Sequence, residues 1–535
     1  MKGNMLNWDV TVPKLIDHAE KYSYDAEIIS RELDNSISKI TVGDCLSKSR
    51  KVAKILKDFK VEKGDRVATI AWNNSRHFEV YFGVTGMGGV LHTINPRLFP
   101  EQLIYILNHA EDKVVFVDET FLPLIAAVQE HLQISPQIIL MGPKKAIELD
   151  IRNLHFYDEL VSAADPIDAW VDVDELDAAA LCYTSGTTGN PKGVFYTHRS
   201  TMLHSWAASN ALRFDTNSSV LPVVPMFHVN AWGTPYTTLM NGHKLILPGH
   251  ALDGASLYEL ISSEKASVLM GVPTVWLGLL NYLSENNLTL EGIEKVMVGG
   301  SAAPLAMIKE FHEKHNTFLV HGWGMTEMSP LGTLNLPSKK MMQLPDEERY
   351  ALQTKQGYPL FGVELKIVDD ENNDLPRDGK AQGALKVRGP WIIESYFKAE
   401  APAVDEEGWF DTGDVATIFP DGCMQIMDRA KDVIKSGGEW ISSIDLENAA
   451  VGHPDIEEAC VVGVPHPKWD ERPLLLVICK GELDKNSINE FLEQRVAKWW
   501  LPDDIIKVEE LPHGATGKLL KVELREQYKN HLMEN

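Results

Sequence analysis

Residues Thr184-Ser185-Gly186-Thr187-Thr188-Gly189-Asn190-Pro191-Lys192-Gly193 have the composition of a loop that grips an anion. Three glycines let backbone N–H groups turn toward a ligand without interference from Cβ, four hydroxyls add donors, and Lys192 brings a full positive charge. The apolar run Ala178 to Tyr183 before the loop and Val194-Phe195-Tyr196 after it read as β-strands, so the loop is expected to hang from the end of a buried strand. The spacing differs from the Walker A pattern: a proline precedes the lysine and a glycine follows it. A polyphosphate held by another kind of loop is the chemistry these residues suit.

Further motifs follow in order. They are Pro225-Met226-Phe227-His228, Gly299-Gly300-Ser301-Ala302-Ala303-Pro304, Gly322-Trp323-Gly324-Met325-Thr326-Glu327, Trp409-Phe410-Asp411-Thr412-Gly413-Asp414, Asp428-Arg429-Ala430-Lys431-Asp432 and Gly517-Lys518. With the loop they resemble the successive core motifs of the adenylate-forming superfamily, which includes acyl-CoA synthetases, luciferases and the adenylation domains of peptide synthetases. The stretches Gly322 to Glu327 and Ser436-Gly437-Gly438-Glu439-Trp440-Ile441-Ser442 look most like those of medium- and long-chain fatty-acyl-CoA ligases and of ligases for 3-methylmercaptopropionate.

The resemblance implies a two-step reaction. Attack of a carboxylate on the α-phosphate of ATP gives a mixed anhydride whose leaving group is AMP, and a thiol then takes the acyl group. Such chemistry needs charge control rather than a covalent nucleophile. Thr184, Ser185, Gly186, Thr187, Thr188, Gly189 and Lys192 would hold the β- and γ-phosphates. Glu327 would be the Mg²⁺ ligand, with Thr326 toward phosphate. Trp323, Gly324 and Met325 would face adenine on one side, with the backbone of Gly299, Gly300, Ser301 and Ala302 on the other. Asp414, read as lying at the end of a β-run and followed by a turn, would accept from ribose, and Arg429 would approach ribose or phosphate. Lys518 is the expected catalytic lysine, Lys431 the hinge about which a C-terminal domain swings.

Lys435, Gly437, Gly438, Glu439, Trp440 and Glu471 would line the path of CoA. His228 falls beside the acyl carboxylate, and Trp232 where fatty-acyl-CoA synthetases carry an aromatic gate. With Gly299, Val229, Pro330 and Leu331 they describe an apolar acid pocket, suited to an aliphatic or thioether acid and not to an amino acid, whose ammonium group would need a buried carboxylate. A carrier-protein loading enzyme and a silent binding homologue are the rival readings. The pair Glu327 and Lys518 speaks against silence, and the chain carries no carrier-domain serine motif.

These residues need a scaffold. A length of 535 residues with 44% apolar composition calls for at least two domains. Amphipathic segments such as Leu46 to Phe59 and Glu101 to Ala110 alternate with β-runs Arg66 to Ile70 and Val114 to Val117, and the theme returns with a helix near Ser200 to Leu212 and strands Lys295 to Val298 and Thr317 to Val320. Ligands of open α/β sheets bind beyond the strand carboxyl ends, where the three strongest motifs are expected. Short alternating runs from Val363 to Met427 read as a β subdomain. Beyond them come helices near Ser443 to Val451 and Ser487 to Val496, β-runs Ala459 to Val464 and Leu474 to Cys479, and a helical stretch Leu519 to Leu532. The expected fold is thus α/β: a large N-terminal domain, residues 1–428, of layered α/β subdomains plus a β subdomain, and a small mobile α+β domain, residues 429–535.

A net charge of −25 repels nucleic acid and anionic lipid, so cations must be concentrated locally wherever ATP binds. Five scattered cysteines without metal spacing fit a reducing cytoplasm. No apolar run reaches membrane-spanning length and the N-terminus lacks an apolar leader, so neither membrane insertion nor export is expected. The partners are therefore a small carboxylic acid, ATP and CoA; similar enzymes are often dimers, and a homodimer is an assembly the resemblance allows.

Overall fold

Runs rich in valine, isoleucine and leucine, buried on both faces, build two mostly parallel sheets. The computed structural model describes residues 3–184, 190–437, 439–479, 481–514 and 519–533. One sheet has seven strands, ordered Leu154–Phe156, Gln137–Leu140, Val114–Val117, Arg66–Ile70, Val90–Thr93, Ala178–Tyr183 and Gly193–Thr197, the last antiparallel to its neighbour. The other has nine, running from Tyr358–Pro359 through Leu331–Asn335, Phe318–Gly324, Lys295–Val298, Val268–Gly271, Ser219–Pro222, Lys244–Leu247 and Glu27–Arg31 to Ile37–Thr41. Antiparallel strands close both of its edges.

The two sheets are stitched near their carboxyl edges by one side chain. Asn73, just past the strand Arg66–Ile70, donates to the carbonyls of Pro222 and Val224 at 3.0 Å each and accepts from Met226 N–H at 2.6 Å. A four-stranded antiparallel sheet follows, Glu364–Val368, Gly383–Arg388, Phe410–Ile418 and Met424–Arg429, as the alternating pattern predicts. The C-terminal part packs Glu439–Ile441, Ile434–Ser436, Asp470–Cys479, Ile456–His466 and Asp504–Lys507 into one sheet, covered by the helices Ser443–Val451, Lys485–Glu493 and Lys521–Gln527. The architecture is the expected α/β one, with a large N-terminal and a small C-terminal domain.

Several boundaries differ from expectation for identifiable reasons. The helix expected from Leu46 starts at Val42, because Thr41 and Asp44 cap each other: Thr41 Oγ1 accepts from Asp44 N–H at 3.1 Å, and Asp44 Oδ2 from Thr41 N–H at 3.0 Å. Asp484 caps Lys485–Glu493 by accepting from Asn486 and Ser487 N–H, moving that helix toward the N-terminus. The expected final helix to Leu532 ends at Gln527, since in its seven residues only Lys521 and Leu524 are buried and little packing is left to extend it. The strand expected to stop at Val320 continues to Gly324, paired with Leu331–Asn335, so Gly322-Trp323-Gly324 lies inside a strand and not in a turn after it. Asp414 likewise lies inside Phe410–Ile418, not at the end of a run. Among the described residues no helix is long and apolar enough to cross a membrane.

Candidate active site

The anion loop is a hairpin whose neck is tied. Tyr183 pairs with Gly193 in the antiparallel ladder, Thr184 N–H donates to the Lys192 carbonyl at 2.9 Å, and Lys192 N–H donates to Thr184 Oγ1 at 3.2 Å. Ser185, Gly186, Thr187, Thr188 and Gly189 lie outside the described residues. The Lys192 ammonium is exposed and stands 4.8 Å from the centre of the Tyr396 ring. Tyr396 also donates its hydroxyl to Glu327 Oε1 at 2.8 Å. Burial and the adjacent Glu327 carboxylate push the phenol above its ordinary range, so it remains a donor at neutral pH. Cation and carboxylate are thereby brought to two sides of one tyrosine, a residue that no motif singled out.

Glu327 is 8% exposed and follows the strand Phe318–Gly324. Its carbonyl accepts from Ile393 N–H at 2.8 Å, and the neighbouring Thr326 carbonyl accepts from Tyr196 Oη at 2.6 Å. The turn is therefore held by two other segments while the carboxylate faces Tyr396. Gly324 is required here by space: a Cβ would lie 2.0 Å from the Pro330 carbonyl oxygen, which also accepts from Met325 N–H at 3.0 Å. A single hard carboxylate with one oxygen committed to a tyrosine suits a cation that keeps waters and phosphate oxygens as its other ligands, as Mg²⁺ does. Among the described residues no cluster of three acidic, histidine or cysteine side chains could hold a metal by itself.

Asp414 joins two of the predicted nucleotide residues. Its Oδ2 accepts from the Trp323 indole N–H at 2.9 Å, and its Oδ1 pairs with Arg429 Nε at 2.9 Å, while the carboxylate itself is almost fully buried. Asp414 and Arg429 face each other across the ladder of Phe410–Ile418 and Met424–Arg429, so strand register sets that pair. Gly413 takes φ of +69° just before Asp414, and Gly300 takes +81° just after Lys295–Val298, both in the region that favours glycine. Ser301 is exposed and Ala302 half-buried beyond it.

The segment expected beside the acid carries an unusual backbone. Val229, Asn230, Ala231 and Trp232 have φ of +42°, +52°, +49° and +55°, followed by Gly233 at +83°, a full left-handed turn. Non-glycine residues pay about 1–2 kcal/mol each for that conformation, and β-branched Val229 is an especially poor candidate. Surrounding groups over-determine it. Asn73 ties the segment upstream, Tyr81 donates to the Met226 carbonyl and reaches Asn230 Oδ1 at 3.4 Å, and Thr234 Oγ1 donates to the Ala231 carbonyl at 3.0 Å. The turn lays the Trp232 indole over Gly299, where a Cβ would come within 3.0 Å of the ring. Trp232 also borders the apolar cluster of Ala208, Met270, Met297, Val320 and Leu331. His228 shares a small void with Thr93, Asn95 and Cys182. Pro330 is buried against Gly324.

At the C-terminal side, Lys435 N–H donates to Glu471 Oε2 at 3.0 Å, bringing together two residues that are far apart in sequence. Gly437 takes φ of +60°, donates to the Trp469 carbonyl at 2.9 Å and lies under the Trp469 ring, 2.9 Å from where its Cβ would be. Glu439 and Trp440 run in the strand Glu439–Ile441. Lys431 is exposed. Gly438 and Lys518 lie outside the described residues. Tyr396, Tyr81 and Asn73 carried no sequence signal, because each acts through contacts more than sixty residues away in the chain.

Residues 15–397 match the AMP-binding enzyme family, and residues 445–518 match the AMP-binding enzyme C-terminal domain. The chain is 50% identical to 3-methylmercaptopropionyl-CoA ligase of Ruegeria lacuscaerulensis, covering 99% of this chain and 100% of that one. It is 48% identical to a medium-chain-fatty-acid–CoA ligase of Ectopseudomonas oleovorans, over 100% of this chain and 99% of the other. Its fold superposes on the crystal structure of the anthranilate CoA ligase AuaEII bound to anthranoyl-AMP with a TM-score of 0.88 at 23% identity, each chain covered in full. This protein therefore belongs to the AMP-binding enzyme family, the adenylate-forming enzymes whose motifs its sequence carries in order.

Proposed function

We propose that this protein is an ATP-dependent carboxylic acid–CoA ligase that forms an acyl-adenylate with release of pyrophosphate and then an acyl-CoA thioester with release of AMP. The observation that carries this reading is the end-to-end likeness, at 48–50% identity, to relatives named as CoA ligases, spanning both family regions. Its acid is an aliphatic or thioether monocarboxylate, a medium- or long-chain fatty acid or 3-methylmercaptopropionate. The apolar surroundings of Trp232 support that class, since an acid bearing an ammonium group would have to bury it there unpaired.

The residues divide the work as follows. Thr184 to Lys192 hold the phosphates, with Lys192 offsetting their charge at the tied neck of the hairpin. Glu327 would hold Mg²⁺, which when bound screens phosphate charge and orients the triphosphate. Asp414 positions Trp323 for adenine and Arg429 for ribose or phosphate. Gly299, Gly300, Ser301, Ala302, Gly324, Met325 and Thr326 line the nucleotide path, and His228 orients the acid carboxylate. Lys518 offsets charge in the adenylation transition state. The domain boundary falls between Asp428 and Arg429, Lys431 is the hinge, and Lys435, Gly437, Gly438, Glu439, Trp440 and Glu471 form the CoA face. The enzyme works in the cytoplasm.

Incubation with ATP, Mg²⁺, CoA and a panel of acids, monitoring pyrophosphate, AMP and thioester, tests the assignment. Equimolar AMP and thioester are expected. Pyrophosphate without thioester would favour a carrier-loading enzyme, which lacks its acyl acceptor in this mixture, and no pyrophosphate a silent homologue. Lys518→Ala should lose adenylation by about a hundredfold or more while thioester formation from supplied acyl-adenylate is largely retained; equal loss of both steps would refute that role. Trp232→Ala should broaden or shift the acid profile with the KM for ATP within about twofold of the parent, as expected for removal of a contact made only to the acid.

A further inference from the structure

The helix Lys521–Gln527 touches the chain just past Lys431 directly and is linked to the chain before it through Ser443. Its two cations, Lys521 and Arg525, are one turn apart on one face. Arg525 Nη2 pairs with Asp432 Oδ1 at 2.5 Å, one residue past Lys431. Lys521 Nζ donates to Ser443 Oγ at 2.5 Å and pairs with Glu447 Oε1 at 2.7 Å. Ser443 in turn donates both its N–H and its hydroxyl to Asp428 Oδ2, at 2.7 and 2.6 Å, three residues before Lys431. Ser442 adds a further bond across the same gap, from its hydroxyl to the Met427 carbonyl. Asp428 is 1% exposed and Lys521 is 9% exposed. Burial alone would lower the pKa of Lys521, and Glu447 and Asp428 more than reverse that, so the ammonium stays charged.

The donors offered to Asp428 are specific to this arrangement. Ser443 opens the helix Ser443–Val451, so its N–H is one that no helical carbonyl satisfies, and the carboxylate sits at the positive end of the helix. We propose that Asp428, Ser443 and Lys521 form a latch across the hinge, holding the C-terminal part in the arrangement seen here, so that rotation about Lys431 requires Asp428 to give up both Ser443 donors. The Arg525–Asp432 pair, with both partners beyond Lys431, travels intact. Asp428 and Lys521 are on this view positioning residues that set the balance between the two half-reactions without touching substrate. The inference rests on the two-step ligase reading and on Lys431 as its pivot.

The test compares the full chain with Ser443→Ala, Asp428→Asn and Arg525→Gln. Tryptic cleavage after Lys431 should quicken about tenfold in the first two, because opening of the segment governs the rate of cutting. The ratio of pyrophosphate release with ATP and acid to thioester formation from supplied acyl-adenylate should shift by about fivefold or more in both, and stay within about twofold in Arg525→Gln. Melting curves identify a variant that fails to fold; should Ser443→Ala do so, the isosteric Asp428→Asn supplies both readouts. Unchanged cleavage in the latch variants overturns the proposal, and so does an equal fall of both half-reactions, the mark of a purely structural role. The cleavage assay needs neither acid, ATP nor CoA, whereas a parent enzyme that makes no AMP would sink the ligase reading instead.

Discussion

Asp414→Ala should reduce kcat/KM for ATP in the adenylation step by about a hundredfold to a thousandfold, from the loss of two hydrogen bonds to one carboxylate, each taken near the low end of about 1.5–3 kcal/mol. One carboxylate orients both the Trp323 indole and the Arg429 guanidinium, and it is buried, so its removal leaves both donors without their acceptor. The KM for the acid should change little, because the acid segment Pro225 to Gly233 is tied to Asn73 and Tyr81 and not to Asp414. Asp414→Asn separates the two contacts. Its amide oxygen can still accept from Trp323, but the amide NH₂ cannot accept from Arg429, so an intermediate loss is expected. Initial rates of pyrophosphate release at varied ATP, with the melting temperature recorded for each variant, decide the matter. An unchanged KM for ATP in Asp414→Ala would remove Asp414 from the nucleotide site.

The second large effect concerns acid stability. Burial lowers the pKa of His77, His198, His243 and His321 to about 4 and that of His204 to about 3. Geometry agrees with the neutral form: His198 Nδ1 accepts from Val12 N–H, and His204 Nε2 accepts from Leu331 N–H, both at 3.3 Å, where a protonated ring would set donor against donor. Below pH 6.5 the unfolded chain takes up protons that the folded chain refuses, so stability falls with falling pH, until the folded groups titrate near pH 4. Asp118 and Asp445 work against this trend. Burial raises Asp118 to about 7, and burial with the Asp428 charge raises Asp445 to about 6, so each adds stability as pH falls toward 4. Glu79, Asp112, Asp428 and Glu447, also raised by burial, act with these two, and His109, His155 and His315, also lowered by burial, act with the five, so the histidines outnumber the carboxylates and acidification destabilises, each unmatched proton contributing about 1.4 kcal/mol per pH unit. Denaturant unfolding followed by circular dichroism should therefore show stability declining from about pH 6.5 toward pH 4; a stability that is flat or rising over that window would contradict it.

Much of the scaffold was legible because local chemistry and tertiary structure agree. Arg66–Ile70, Val114–Val117 and Lys295–Val298 occupy the residues read from their apolar runs, since strands buried on both faces leave little latitude at their ends. The site was legible as motifs but not as a network. Trp323 and Asp414 were each assigned to nucleotide separately; that one holds the other depends on a contact across ninety-one residues, which no spacing rule reports. Tyr396, standing between Lys192 and Glu327, was invisible for the same reason. The two strand extensions at Trp323 and Asp414 were missed because glycines read as turns, whereas here Gly324 serves close approach of the Pro330 carbonyl and Gly413 a local left-handed step inside a continuing ladder.

The backbone from Val229 to Gly233 has a bearing on how this enzyme could be re-engineered. Glycine at Val229 would relieve the penalty of the observed φ of +42°, about 1–2 kcal/mol, but it would also delete a buried side chain and loosen the unfolded chain, so Val229→Gly should lower the melting temperature of the resting enzyme. The same exchange would free the indole of Trp232 from its fixed seat on Gly299, and selectivity among acids would decline together with stability. Thermostability and discrimination thus draw on the same side chain, and libraries selected on heat tolerance would keep Val229 and with it the seat of Trp232.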